Sequence, residues 1–106
     1  MCLISFILPF FTSLFFSPSI VYAEEKIDKA RWLFQHENYE EALPLFQELS
    51  TENPQSAEYA FYLGLTYKRL QQFLEAKDPL IAAVSLQPTL KNALVELIDL
   101  LYQCDQ

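Results

Sequence analysis

Residues 57–90 read AEYAFYLGLTYKRLQQFLEAKDPLIAAVSLQPTL, and their apolar pattern is typical of a pair of helices. In its first half, apolar and small residues recur at spacings of three and four, which places them on one face of an α-helix. These residues are Ala60, Leu63, Gly64 and Tyr67. A second stripe with the same spacing follows the break at Gln71-Gln72 and consists of Phe73, Ala76, Leu80, Ala83 and Val84. The stretch predicts two helices, the second ending at Gln87-Pro88 because proline disfavours the helical conformation in the preceding residue.

The stretch is one copy of a repeat. Residues 23–56 align with residues 57–90 without a gap at a spacing of 34, so that Tyr39 matches Phe73 and Ala42 matches Ala76. A fixed period of this size indicates stacked helix pairs. Residues 91–106 begin a third copy, in which the stripe residues are Leu94, Leu97, Ile98 and Leu101. We therefore predict an all-α solenoid of about five helices in antiparallel pairs.

This pattern resembles the tetratricopeptide repeat (TPR) family. The family's sequence of large, large, small, large, small, large, small and Pro positions falls on Ala60, Leu63, Gly64, Tyr67, Ala76, Leu80, Ala83 and Pro88, and only Ala60 departs from it. The first repeat is degenerate, with Lys26 and Lys29 at positions where large apolar residues are expected. A terminal repeat lacks a neighbour on one side and can carry polar residues there. The resemblance implies TPR repeats at 23–56 and 57–90, and a partial repeat or capping helix at 91–106.

The resemblance also implies a binding mode. In this family the first helices of successive repeats line a concave groove that holds an extended peptide or a helix of a partner protein. By the family's geometry, the groove residues of this chain are Ile27, Arg31, Phe61, Leu65, Lys68, Asn92, Val95 and Asp99. The alternative for Phe61 and Leu65 is that neighbouring helices cover them. The resemblance therefore implies a protein or peptide partner and no small-molecule substrate.

Single residues give further expectations about packing. Small residues such as Gly64 let paired helices approach closely, while a large residue on the partner helix fills the space beside them. Pro44 and Pro79 fall within two turns of their predicted helix starts, so we expect a mild kink and not a break. Trp32 lies off the apolar stripe of its helix and is expected to be half-exposed.

The N-terminal segment, residues 1–23, carries no charged side chain and differs from the rest of the chain. An apolar run is followed by the helix-breaking stretch Ser17-Pro18-Ser19 and by the small residue Ala23. This segment resembles a secretory signal peptide, which predicts cleavage between Ala23 and Glu24 and a mature TPR domain at 24–106 in the periplasm or outside the cell. The alternative is an uncleaved membrane anchor formed by residues 3–23, because a helix of this length reaches across a bilayer core of about 30 Å.

Charge and composition exclude several classes of function. The net charge is -7 and no run of basic residues is present, which argues against nucleic-acid binding. His36 is the only histidine, one glycine cannot form a phosphate-binding loop, and no C-x-x-C pair occurs. We therefore expect no enzyme activity, no cofactor and no metal site.

Two functional hypotheses follow from the sequence. The first is an exported adaptor that binds a partner protein in its groove. The second is a structural protein that is anchored by its N-terminus or forms a homodimer through its last helix, where Val95, Leu100 and Tyr102 add apolar surface, or that is a fragment of a longer repeat array.

Overall fold

The computed structural model describes residues 18–105, with side chains from Tyr22 onward. Each helix packs in antiparallel fashion against the next along the chain, and α3 also contacts α5. This arrangement confirms the predicted all-α class with five helices. The helices are α1 (Pro18–Gln35), α2 (Tyr39–Glu52), α3 (Ala57–Arg69), α4 (Phe73–Leu86) and α5 (Lys91–Cys104).

The turns that follow α1 and α3 have the same backbone geometry. Glu37 and Gln71, which occupy equivalent positions in the two repeats, both adopt the left-handed conformation, with φ of 62° and 63°. In the first turn the amide of Glu37 donates to the carbonyl of Phe34, and the next amide donates to Leu33. The amides of Gln71 and Gln72 donate to the equivalent carbonyls of the second turn. Two turns of Schellman type therefore end α1 and α3 at equivalent positions.

The turns that follow α2 and α4 are also equivalent. The amide of Asn53 donates to Leu49, and the amide of Gln87, which is the matching residue of the second repeat, donates to Ala83. The period of the sequence is thus also a period of the backbone hydrogen bonds. The two turns differ in their caps, since Ser56 accepts a bond from the amide of Tyr59 before α3 whereas no side-chain bond caps α5.

Buried residues form a core along the whole stack of helices. Between α1 and α2 the fully buried residues include Ala30, Ala42 and Phe46. The ring of Phe46 stacks on Tyr62 of α3, with ring centroids 5.1 Å apart, and so joins the first helix pair to the second. Farther along, Ala76, Leu80 and Leu100 are fully buried between α4 and α5, and Gly64 packs directly against Leu80. The small-against-large packing expected at Gly64 is confirmed.

Pro18, Pro44 and Pro79 lie within the described helices. Helices α2 and α4 continue through Pro44 and Pro79, as expected. Pro18 is the first residue of α1, and the residues before it, which are needed to test the predicted helix break, lie outside the described residues. Trp32 is 53% exposed, which confirms the expectation for this side chain.

Lys26, a polar residue at a position of the first repeat where a large apolar residue is expected, is buried. It is only 6% exposed, and its Nζ lies 3.0 Å from carboxylate oxygens of both Glu48 and Glu52 on α2. The Tyr22 ring lies 4.5 Å from the same nitrogen. An ion-pair cluster therefore joins α1 to α2 at the position where the repeat pattern expects an apolar residue.

Candidate partner-binding surface

The eight residues predicted to bind a partner lie on α1, α3 and α5. Ion pairs join these three helices: Arg31 of α1 pairs with Glu58 of α3, and Lys68 of α3 pairs with Glu96 and Asp99 of α5. We call the side of the molecule formed by these helices the odd-helix surface. Two of the predicted residues, Lys68 and Asp99, are in direct contact, with Nζ 2.6 Å from a carboxylate oxygen of Asp99.

The predicted residues differ in how much surface they offer. Ile27 and Leu65 are buried, and Ile27 belongs to the core between α1 and α2. Phe61 is half-buried, because it packs against core residues of α4 and α5. The three residues of α5, which are Asn92, Val95 and Asp99, are exposed. A partner would therefore meet mainly the α5 end of the odd-helix surface.

Lys68 is the electrostatic centre of this end. Its side chain is only 9% exposed, and its Nζ lies 2.5 Å from Glu96 and 2.6 Å from Asp99. Burial alone lowers the pKa of Lys68, but the hydrogen bonds to Asp99 and Glu96 outweigh this effect, so its pKa is raised above the ordinary value. The lysine therefore stays charged at neutral pH and joins α3 to α5.

Arg31 has the equivalent function between α1 and α3. Its guanidinium donates a hydrogen bond to Glu58 and lies 6.0 Å from the centre of the Tyr62 ring. The bond to Glu58 raises the pKa of Arg31 above its ordinary value. Arg31 and Lys68, the two basic residues of the predicted groove, therefore both form ion pairs with acidic residues of another helix of the odd-helix surface.

The sequence reasoning did not identify the acidic partners Glu58 and Glu96. The repeat offered one indication for Glu58: it is the second residue of its repeat, and Glu24 occupies the same position in the first repeat. For Glu96 no such signal exists, since its role depends on the distance between α3 and α5. The predicted residues therefore include Arg31, Lys68 and Asp99 of the ion pairs on the odd-helix surface, but not Glu58 and Glu96.

Three surface cavities lie away from the predicted residues. A cavity of about 250 Å³ is lined by Glu37 and Asn38 of the turn between α1 and α2, by the first turn of α2 and by Leu70. A cavity of about 210 Å³ lies beside Tyr22 and Lys26, and one of about 310 Å³ lies along α2. Within residues 18–105, no group of three or more His, Cys, Asp or Glu side chains is placed to hold a metal ion.

The predicted cleavage site lies inside α1. Ala23 is half-buried, Glu24 is exposed, and the helix runs through both from Pro18. Most of the predicted signal peptide, residues 1–17, lies outside the described residues. None of the helices in the described part of the chain is both long and apolar enough to span a membrane.

Comparison with known proteins gives no assignment. Neither a protein-family model nor a curated protein matches the sequence. The evidence for a function is therefore the repeat pattern and the surface described above.

Proposed function

We propose that the protein is an exported interaction module of the tetratricopeptide type, which binds a peptide or helix of a partner protein on its odd-helix surface. The observation that carries this proposal is the shared period of the two repeats, which governs both the apolar pattern and the hydrogen bonds of the turns. A chain that repeats its helix pairs places the first helix of each pair on the same side. The contacts of Lys68 with Glu96 and Asp99 are consistent with that placement.

The chemistry of the surface favours a ligand that is partly apolar and carries a positive charge. Val95 is 62% exposed and supplies an apolar contact next to Asn92 and Asp99. Lys68 contributes one positive charge against the two negative charges of Glu96 and Asp99, so the cluster has a net charge of -1. A lysine or arginine of the ligand would contact the exposed carboxylate of Asp99, and an apolar side chain would cover Val95.

The position of the core is compatible with removal of the signal peptide. Among the residues of α1 whose side chains are described, from Tyr22 onward, the buried ones are Lys26, Ile27, Ala30 and Leu33, and all four follow the predicted cut. Tyr22, which precedes the cut, is exposed. Cleavage after Ala23 would leave Glu24 and Glu25 in the first turn of the shortened helix, where negative charge is favourable. The domain 24–106 would therefore keep its core after export.

Intact-mass measurement of the protein purified from cells that express the full-length sequence tests the export step. A mass matching residues 24–106 supports a cleaved signal peptide. A full-length mass would contradict cleavage and would favour the anchored alternative.

Site-specific photo-crosslinking in the cells that naturally produce the protein tests the binding surface. A photoreactive amino acid is placed at Asn92 on the odd-helix surface, and at Leu74 of α4 as a matched control, because Leu74 is 79% exposed and lies outside that surface. We expect a discrete crosslinked partner from position 92 only, and we expect Asp99→Lys to abolish it. Equal crosslinking from both positions, or no effect of Asp99→Lys, would contradict the proposed surface.

A further inference from the structure

The outer face of α5 carries a stripe of exposed apolar side chains. Leu94, Val95, Ile98, Leu101 and Tyr102 are all exposed, and Ile98 is 60% exposed. With 3.6 residues per turn, all five lie within about 60° of Ile98 around the helix. This face points away from Ala93 and Leu100, the residues that α5 buries against the rest of the protein. We call the five residues the α5 stripe.

The repeat shows that the face of a first helix corresponding to this stripe is normally covered. At a spacing of 34, Leu94, Ile98 and Leu101 correspond to Ala60, Gly64 and Tyr67 of α3. On α3 this face packs against α4, with Leu80 placed directly on Gly64. On α5 the larger residues Leu94 and Ile98 replace alanine and glycine. If a helix packed on α5 in the way that α4 packs on α3, a large residue at the position equivalent to Leu80 would clash with Ile98. A helix that covers the α5 face must therefore pack in a different geometry.

The α5 stripe is symmetric about Ile98. Leu94 and Tyr102 lie four residues on either side of it, and Val95 and Leu101 lie three residues on either side. Two copies of α5 that cross in antiparallel fashion at Ile98 would therefore place Leu94 against Tyr102 and Val95 against Leu101. Every exposed apolar residue of the stripe then has an apolar neighbour in the other copy.

The charges at the two ends of α5 follow the same symmetry. Lys91 and Asp105 lie seven residues on either side of Ile98, and the backbone of Asp105 keeps the right-handed helical conformation. Both side chains are exposed, and neither forms an ion pair with another described residue. At a rise of 1.5 Å per residue, each charge is about 10 Å from Ile98 along the helix. In the antiparallel pair, Lys91 of each copy faces Asp105 of the other.

We propose that the α5 stripe is a homodimer interface, in which two copies of α5 pack in antiparallel fashion about a twofold axis at Ile98. The paired apolar residues supply the attraction, and the two Lys91–Asp105 contacts fix the direction and register of the helices. One pair of short helices buries less area than most stable interfaces, so the dimer depends on protein concentration. The inference does not rest on the proposed function, although Val95 belongs to both surfaces and would be contacted either by a ligand or by the second copy. Asn92 and Ile98, which the two sets of experiments change, lie about 120° apart around α5.

Sedimentation equilibrium of the protein purified from cells that express the full-length sequence tests the dimer over a roughly hundredfold range of concentration. We expect the mass to rise from monomer to dimer in the wild type. Ile98→Glu places two like charges at the axis and should leave only monomer, with unchanged helical circular dichroism because Ile98 is exposed. Leu74→Glu removes an exposed leucine from α4 and should dimerise like the wild type.

A charge exchange tests the antiparallel register. Lys91→Glu turns two attractive contacts into repulsive ones and should raise the dissociation constant of the dimer about tenfold. Adding Asp105→Lys to this variant restores opposite charges at both positions and should restore the wild-type dissociation constant. A wild type that remains monomeric throughout, or a double variant no tighter than Lys91→Glu alone, would overturn the proposal.

Discussion

Leu80 packs directly on the backbone of Gly64, so closely that a methyl group at position 64 would lie 2.6 Å from Leu80 Cγ. Leu80 is fully buried and has little room to move. The contact sets the distance between α3 and α4.

We expect Gly64→Ala to destabilise the protein by about 1 to 2 kcal/mol. Alanine is favoured over glycine inside a helix by about 1 kcal/mol, but overpacking a filled core costs up to about 3 kcal/mol. Urea unfolding followed by circular dichroism measures the net effect. As a control, Ser85→Ala at an exposed position of α4 should raise stability slightly. A rise in stability for Gly64→Ala as well would show that the helices can separate at little cost.

The left-handed residue Gln71 predicts a stabilising substitution. A residue with a Cβ atom is disfavoured by about 1 to 2 kcal/mol in this conformation, while glycine loses only about 0.5 to 1 kcal/mol more chain entropy on folding. Gln71→Gly should therefore raise the free energy of unfolding by about 0.5 to 1 kcal/mol. Gln71→Ala keeps the Cβ atom and should change it by less than about 0.5 kcal/mol in either direction. Thermal unfolding of the two variants separates the backbone effect from loss of the glutamine side chain.

Removal of the Lys68 ammonium should weaken the contact between α3 and α5. Lys68→Met keeps most of the apolar length of the side chain but leaves the half-buried Glu96 without its cation. We expect the free energy of unfolding to fall by about 1 kcal/mol. This loss is smaller than that expected for a buried ionic hydrogen bond, because Asp99 is half-exposed. Lys77→Met removes an exposed lysine of α4 and is the matched control. Equal stability of the two variants would show that the cluster contributes nothing measurable.

The same lysine gives a prediction for alkaline pH. The pKa of Lys68 in the folded protein is raised above the ordinary value of 10.5, so its contribution to stability is complete below pH 10.5. That contribution is lost as the pH rises through the folded-state pKa, because the unfolded chain releases the proton first. Lys26 behaves in the same direction through its hydrogen bonds to Glu52 and Glu48. Urea unfolding above pH 10.5 should therefore show a smaller loss of stability in Lys68→Met than in the wild type.

The boundary of the core in α1 predicts contrasting effects for two nearby residues. Ile27 is buried, and Ile27→Ala should cost about 2 to 4 kcal/mol. Tyr22 is exposed and contacts the ammonium of Lys26, so Tyr22→Ala should cost less than about 1 kcal/mol. Urea unfolding of the full-length variants measures both changes. A large loss for Tyr22→Ala would show that the folded domain begins before the predicted cleavage site.

The sequence predicts well those features that depend on nearby residues. The turn at Gln71-Gln72, the end of α4 at Leu86 and the packing of Gly64 against a large side chain were all predicted, because the repeat fixes which residues of paired helices meet. Periodicity gives the centre of a helix face but not its width. For this reason the pattern left open whether Leu65 meets a ligand or is covered by neighbouring helices, and it placed Ile27 both on the apolar stripe of α1 and in the groove. Both residues are buried.

Contacts between charged residues of different helices could not be predicted from the sequence. Lys26 is a charged residue at a position aligned with Ala60, and it is buried beside Glu48 and Glu52 of α2, which form ion pairs with it. Lys68 and Asp99 were both assigned to the odd-helix surface, but their pairing depends on the separation of α3 and α5 and on the side-chain conformations. These contacts require a three-dimensional structure.

Packing of each helix mainly against its neighbours in the sequence has a consequence for folding kinetics. Contacts between neighbouring helices close only short loops, and proteins with such a low contact order fold within microseconds to milliseconds. Within the described part of the chain, helix α5 packs mainly against α4, so it can open while α1, α2 and α3 stay packed. Amide hydrogens in α5 should therefore exchange with solvent faster than those of α3, which lies between neighbours on both sides.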